Sequence, residues 1–138
     1  MKKRILLVED NSDTVVIISH ALNFLGYETT VANNGIEAVD LAASENPDLI
    51  IMDMMLPKMN GFEATAKIRN HPKTECVPIV AMTAMAMPGD RDKCLKAGCD
   101  DYLAKPFTYQ ELGHAIEKLL GKEVSQRPPQ EQPVGEIP

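Results

Sequence analysis

Five polar residues of this chain close or directly follow short apolar runs: Glu9, Asp10, Asp53, Thr83 and Lys105. Their types suit one kind of chemistry. Three carboxylates brought together repel one another, so such a cluster holds a proton or captures a cation. Hard oxygen ligands with room for water suit Mg2+, which keeps several waters and binds alongside phosphate. Lys105 offers a compact positive charge to one phosphoryl oxygen, and the Thr83 hydroxyl can hydrogen-bond a second. One carboxylate, ionised and held in line, can then attack phosphorus while the cations spread the developing charge. Asp53 is the nucleophile this reading selects, because it ends the most apolar run and lies between the other groups. Singly, these residues say little: Asp53 would be a loop carboxylate, Glu9-Asp10 a helix start, Thr83 a strand former. The combination carries the reading.

The elements that must position them are legible as an alternation. Residues 5–8, 28–32, 48–53, 77–82 and 101–104 read as strands. Residues 11–25 place Val15, Ile18, Leu22 and Leu25 at helical spacing, with Gly26 as a C-terminal stop. Asn33-Asn34-Gly35 turns the chain into a second helix ended by Asn46-Pro47. A loop with Pro57, Asn60 and Gly61 leads into a third helix to about residue 70. A fourth covers 88–97 before Gly98, and a fifth covers 108–120 with Leu112, Ile116, Leu119 and Leu120 on one stripe. Such alternation calls for right-handed crossovers and a parallel sheet covered on both faces. The run 48–53 suits the centre of that sheet. The expected fold is α/β, a doubly wound five-stranded parallel sheet. Ligands bind such sheets beyond the carboxyl ends of the strands, which is where all five polar residues fall.

Bulk properties narrow the function. The 138 residues make one domain, placed at residues 1–121. Residues 122–138 are rich in Pro, Gln and Glu with few apolar side chains, and are expected to form a mobile tail. A net charge of −6 argues against a sequence-independent grip on nucleic acid, and Lys2-Lys3-Arg4 is too short to reverse that. No apolar run approaches the ~18–20 residues of a membrane span, so a cytoplasmic location without membrane attachment is expected. Cys76, Cys94 and Cys99 form no C-x-x-C pair and read as reduced thiols. His20, His71 and His114 are scattered and read as surface histidines.

The chain resembles the receiver domains of two-component signalling. The resemblance lies in ILLVEDN (5–11), DLIIMDMMLPKMNGFEATAKIR (48–69), PIVAMTAMAMPGD (78–90) and AGCDDYLAKPF (97–107). Together these spread across residues 4–120, a joint signal far more specific than any one segment. It implies the flavodoxin-like (βα)5 order 2-1-3-4-5 and a function as phosphoacceptor response regulator of a phosphorelay. Asp53 is then the phosphoacceptor. Asp10 and Asp53 bind Mg2+ with the backbone carbonyl of Met55, and Glu9 acts through water. Lys105 contacts the phosphoryl group, with a cis bond to Pro106. Thr83 and Tyr102 form the switch, the hydroxyl moving toward the phosphate and the ring following. The implied partners are a histidine kinase or histidine phosphotransfer protein upstream and a protein target downstream. The resemblance implies a monomer or a weak phosphorylation-dependent dimer.

Two residue types around the site tune it. Ala84 is small enough to leave Asp53 accessible. Met55 and Met85, two positions beyond Asp53 and Thr83, line the path of a hydrolytic water and should slow loss of the phosphate, whereas Met52 and Met82 read as core filler. Other classes fit less well. A haloacid-dehalogenase-type phosphatase would want a second Asp two positions after the nucleophile, where Met55 stands. A flavodoxin would need a phosphate loop where Glu9-Asp10-Asn11 instead repels phosphate. The open alternative within the leading class is a receiver excised from a hybrid histidine kinase.

Overall fold

Five strands and five helices alternate in the computed structural model, which describes residues 2–84 and 87–121. The strands are β1 (Arg4–Val8), β2 (Glu28–Ala32), β3 (Leu49–Asp53), β4 (Ile79–Thr83) and β5 (Asp101–Ala104). The helices are α1 (Ser12–Phe24), α2 (Gly35–Glu45), α3 (Gly61–Arg69), α4 (Asp90–Ala97) and α5 (Tyr109–Leu120). All strand pairs are parallel and the order is β2-β1-β3-β4-β5, the expected doubly wound arrangement. The tail at 122–138 and Met85 lie outside the described residues.

Local chemistry explains where the elements begin and end. Side chains of Asn11, Asn34, Asn60 and Thr108 each accept a backbone N–H of the first turn that follows. Asn60–Glu63 and Thr108–Glu111 complete capping boxes. Asn46 (φ 49°) ends α2, and Gly98 (φ 115°) ends α4, in the left-handed region. The expected bounds hold closely for β2 and β5. β4 differs: it runs from Ile79 to Thr83, not over 77–82. Val77 instead closes a turn onto the Thr74 carbonyl, and Pro78 has no N–H to donate. α4 likewise starts at Asp90 and not at Pro88, because Gly89 (φ 91°) leaves the helical region.

Alternate strand residues feed two cores. Ile5, Leu7, Leu49, Ile51, Val80, Met82 and Leu103 pack beneath α1 and α5, with Phe107 among them. Leu6, Val8, Ile50, Met52, Ile79 and Ala81 pack beneath α2, α3 and α4. β3 and β4 are buried along their whole length, so their backbones are the most firmly held in the sheet. Met52 and Met82 are core side chains, one in each cluster.

One arginine ties the far edge together. Arg69, the last residue of α3, donates to the carbonyls of Gly98 (2.9 Å), Glu75 (3.2 Å) and Val77 (2.6 Å) and pairs with Asp100 (2.8 Å). Asp100 in turn accepts the N–H of Ile79 at the head of β4. Removing the guanidinium would orphan several carbonyls at once, and lysine cannot reproduce the fork. Arg69→Ala is expected to cost about 2–4 kcal/mol in urea denaturation. Arg69→Lys should recover little of that loss.

Candidate functional site

The parallel sheet brings four strand ends to one edge, and the sequence places a charged or hydroxyl side chain at each. β1 runs into Glu9 and Asp10, β3 ends in Asp53, β4 in Thr83, and β5 runs into Lys105. Register makes the arrangement compact. Asp53 pairs with Met82, one residue before Thr83, and Thr83 pairs with Ala104, one before Lys105. The backbone N–H of Lys105 donates to the Thr83 carbonyl (2.8 Å).

Carboxylate oxygens of Glu9, Asp10 and Asp53 lie within 4.8 Å of one another. Glu9 is 1% exposed and Asp53 5%, while Asp10 opens to solvent. Lys105 Nζ donates to Glu9 Oε1 (2.9 Å) and stands 3.7 Å from Asp53 Oδ2. The other Glu9 oxygen accepts the Asn11 N–H (3.1 Å), and Asp53 Oδ1 accepts the Met55 N–H (2.9 Å). Three carboxylates and one ammonium leave two negative charges unbalanced within the cluster. A hard dication with oxygen preference fits that donor set and the open side at Asp10.

Burial pushes the Asp53 carboxyl up from its ordinary 3.8 to about 6. The Met55 N–H works against this, Glu9 adds to it, and Lys105 again opposes it. Burial thus makes Asp53 costly to ionise, and carboxylates perturbed in this way gather at functional sites.

The remaining expected positions fall around this centre. Thr83 is 5% exposed at the end of β4, and Ala84 beside it is exposed. The Lys105–Pro106 bond is cis, as the resemblance implied. Met55 is 58% exposed. A cleft of about 90 Å³ beside the cluster is lined by Met54, Met55, Phe62, Thr83, Asp90, Lys93 and Cys94. Tyr102 is half-buried on β5 and packs against the α2–α4 core. Cys94 and Cys99 are buried, with burial pushing the Cys99 thiol up to about 11, so neither is poised to react. His20, His71 and His114 are exposed and away from the cluster's contacts.

Some contributors carried no side-chain signal. The Met55 N–H and the Asn11 N–H hold the two buried carboxylates, and any residue but proline could supply them. Asp101 was read only as the start of a strand. Its buried carboxylate meets Lys118 of α5 (3.1 Å) and Arg91 of α4 (3.5 Å), tying both helices to β5.

Comparison with known proteins agrees with this geometry. A family model described as the response regulator receiver domain matches residues 5–117. The polar-differentiation response regulator DivK of Brucella anthropi is 36% identical over 121 residues, spanning 88% of this chain and 98% of that protein. The receiver domain of the sensor histidine kinase PA1611 from Pseudomonas aeruginosa is 43% identical with a TM-score of 0.83, spanning 88% of this chain and 100% of that one. That structure holds a magnesium ion coordinated in its active site cleft. The chemotaxis response regulator CheY4 of Vibrio cholerae is 29% identical with a TM-score of 0.81, spanning 87% and 100%. The chain belongs to the response regulator receiver domain family. It is accordingly a phosphoacceptor module of two-component signalling and not a metabolic enzyme. Among the described residues no helix is long and apolar enough to cross a membrane.

The raised Asp53 carboxyl has a consequence for stability. Between about pH 4 and about pH 6 the folded chain binds more proton at Asp53 than the unfolded chain does. Its contribution is therefore present at low pH and lost as pH rises through about 6. Asp53→Asn removes the buried charge. It should stabilise the metal-free protein by about 1–2 kcal/mol near pH 7.5, after allowance for solvent at the open side. The gain should vanish below about pH 4, as chemical denaturation across pH would show.

Proposed function

We propose that Asp53 takes a phosphoryl group from a phosphohistidine of a kinase or phosphotransfer partner, with Mg2+ bound, and that this switches a protein-docking surface. The observation that supports it most directly is the buried Asp53 carboxylate, set among Glu9, Asp10 and Lys105 with two negative charges to spare.

Asp10, Asp53 and the Met55 carbonyl would hold the ion, with Glu9 acting through water. The bound ion would neutralise phosphoryl oxygens and the carboxylate cluster. The chain supplies the rest. The Met55 N–H fixes the orientation of the Asp53 carboxylate, which keeps an oxygen lone pair for attack. That pair forms the new O–P bond as the P–N bond to the donor imidazole breaks, and the ring nitrogen keeps the electron pair and then takes a proton. Lys105, already 3.7 Å from Asp53 Oδ2, is placed to meet a phosphoryl oxygen, and Thr83 to hydrogen-bond another. Tyr102 would follow Thr83, and the surface of α4, β5 and α5 would change with it. The similarity to DivK supports a free-standing regulator, and that to the PA1611 receiver supports a receiver domain of a hybrid kinase. A cytoplasmic location suits either.

Incubation with acetyl phosphate and Mg2+ should add one phosphoryl group by mass spectrometry. Asp53→Asn should add none, and an unmodified native protein would overturn the reading. Met55 and Met85 would slow hydrolysis by excluding water, in keeping with the exposed position of Met55. In the Met55→Asn, Met85→Glu variant the phosphate lifetime should shorten several-fold. An equal or longer lifetime would sink this part.

A further inference from the structure

The loop between β3 and α3 carries the Met55 N–H that holds Asp53, and it is gripped at both ends. At its start the Met54 N–H donates to the Met82 carbonyl (3.0 Å), and the Met54 carbonyl accepts the Gly61 N–H (3.2 Å). Gly61 lies so close that an added Cβ would come within 2.6 Å of the Met54 Cα. The other end leans on a different element. An added Cβ at Gly35, the first residue of α2, would stand 2.1 Å from the Met59 carbonyl oxygen and 2.8 Å from the Met59 Cβ.

α2 is the less yielding partner in that contact. Its first turn is fixed by Asn34, which accepts the Glu37 N–H (2.9 Å), and by Glu37, which accepts the Asn33 N–H (2.7 Å). Gly35 itself is buried, and Ala38 and Ala42 behind it are in the core. The loop, by contrast, is exposed at Pro57 and Lys58, with Lys58 already in the left-handed region (φ 65°). Any atom added at Gly35 therefore moves Met59. Contacts below 3.0 Å are essentially never seen for a real Cβ, so the carbonyl must retreat by about 1 Å. Four residues earlier in the same loop is Met55.

We propose that Gly35 is a positioning residue for the acidic site: its missing side chain lets α2 set the loop that aims the Met55 backbone at Asp53. The inference rests on the proposed reading of that site and names a residue that reading does not use. The retreat is at Met59; the part of it passed along the loop to Met55, the group that orients Asp53, should weaken binding or rate by about tenfold.

The test compares native protein, Gly35→Ala and Leu112→Ala, the last a core variant on the buried face of α5 that loses stability away from the loop. Three quantities are read on folded protein: Mg2+ affinity by calorimetry, the rate of phosphoryl gain from acetyl phosphate, and the Met55 amide resonance without metal. Gly35→Ala should lower the first two about tenfold and move the resonance away from its carboxylate-bonded position. Leu112→Ala should change none of them. Unchanged values in folded Gly35→Ala would overturn the proposal. If that variant does not fold, Asn34→Ala loosens the first turn of α2 without adding an atom. A fall in Mg2+ affinity with a moved Met55 resonance supports the proposal, and native values refute it. Native protein that gains no phosphoryl group fails the reading of the site itself, a result distinct from either.

Discussion

Mutual repulsion among Glu9, Asp10 and Asp53 is the constraint to which the rest of this structure answers. Their oxygens lie within 4.8 Å, and two of the three residues are nearly inaccessible to water. Left to itself a chain would separate them. They stay together because each is attached to a strand end or its first following residues, and the strands cannot part without opening the sheet. Lys105 offsets part of the repulsion and two backbone N–H groups offset more. The Asp53 carboxyl is still raised, chiefly by its burial and in smaller part by the Glu9 charge. A cluster built only for stability would have used apolar side chains here.

The scaffold that bears this strain is unevenly anchored. β3 and β4, which end in Asp53 and Thr83, are buried from end to end. α1, α3 and α5 each bury four residues, whereas α4 buries Cys94 alone. α4 is held chiefly by polar ties: Arg69 on its C-terminal carbonyl and Arg91 on Asp101. Elements with few buried apolar contacts are the ones that open at low free energy. The acidic centre therefore sits on the buried strands, and α4, beside Thr83 and Tyr102, is the helix with the fewest buried residues. Asp101 makes the same point from the other side, since one buried carboxylate ties both α4 and α5 to β5.

Much of this was legible in the amino-acid order, for identifiable reasons. β3 could be read because a strand buried on both faces is apolar at every position, and its end marked Asp53. β2 and β5 were bounded by polar and turn residues. β4 was displaced because Val77 looks like a strand residue, yet its carbonyl is claimed by Arg69 from another helix. That is a tertiary fact with no local trace. The same holds for the Met55 N–H on Asp53 and for the close approach of Gly35 to Met59. Asn34-Gly35 read as a turn, and nothing in its neighbours announced a contact with a loop more than twenty residues later. Side-chain chemistry shows in sequence. Backbone groups, and the absence of a side chain, do not.

The charge balance also bears on how such a site could signal. A carboxylate that gains a phosphoryl group becomes more negative, in a cluster that already carries two uncompensated charges. Lys105 is the cation within reach of Asp53 among the described residues, and its closer partner is Glu9. A phosphoryl group on Asp53 would thus compete with Glu9 for the same ammonium and seek further donors nearby. Thr83 stands at the adjacent strand end, with an exposed Ala84 next to it. Only contacts stronger in one conformation than the other can move the equilibrium. On the proposed reading the unbalanced charge would serve twice: it would make the site receptive to a dication, and it would make an added phosphate draw on Lys105 and Thr83. β4 and β5, which carry those two residues, border the weakly anchored α4.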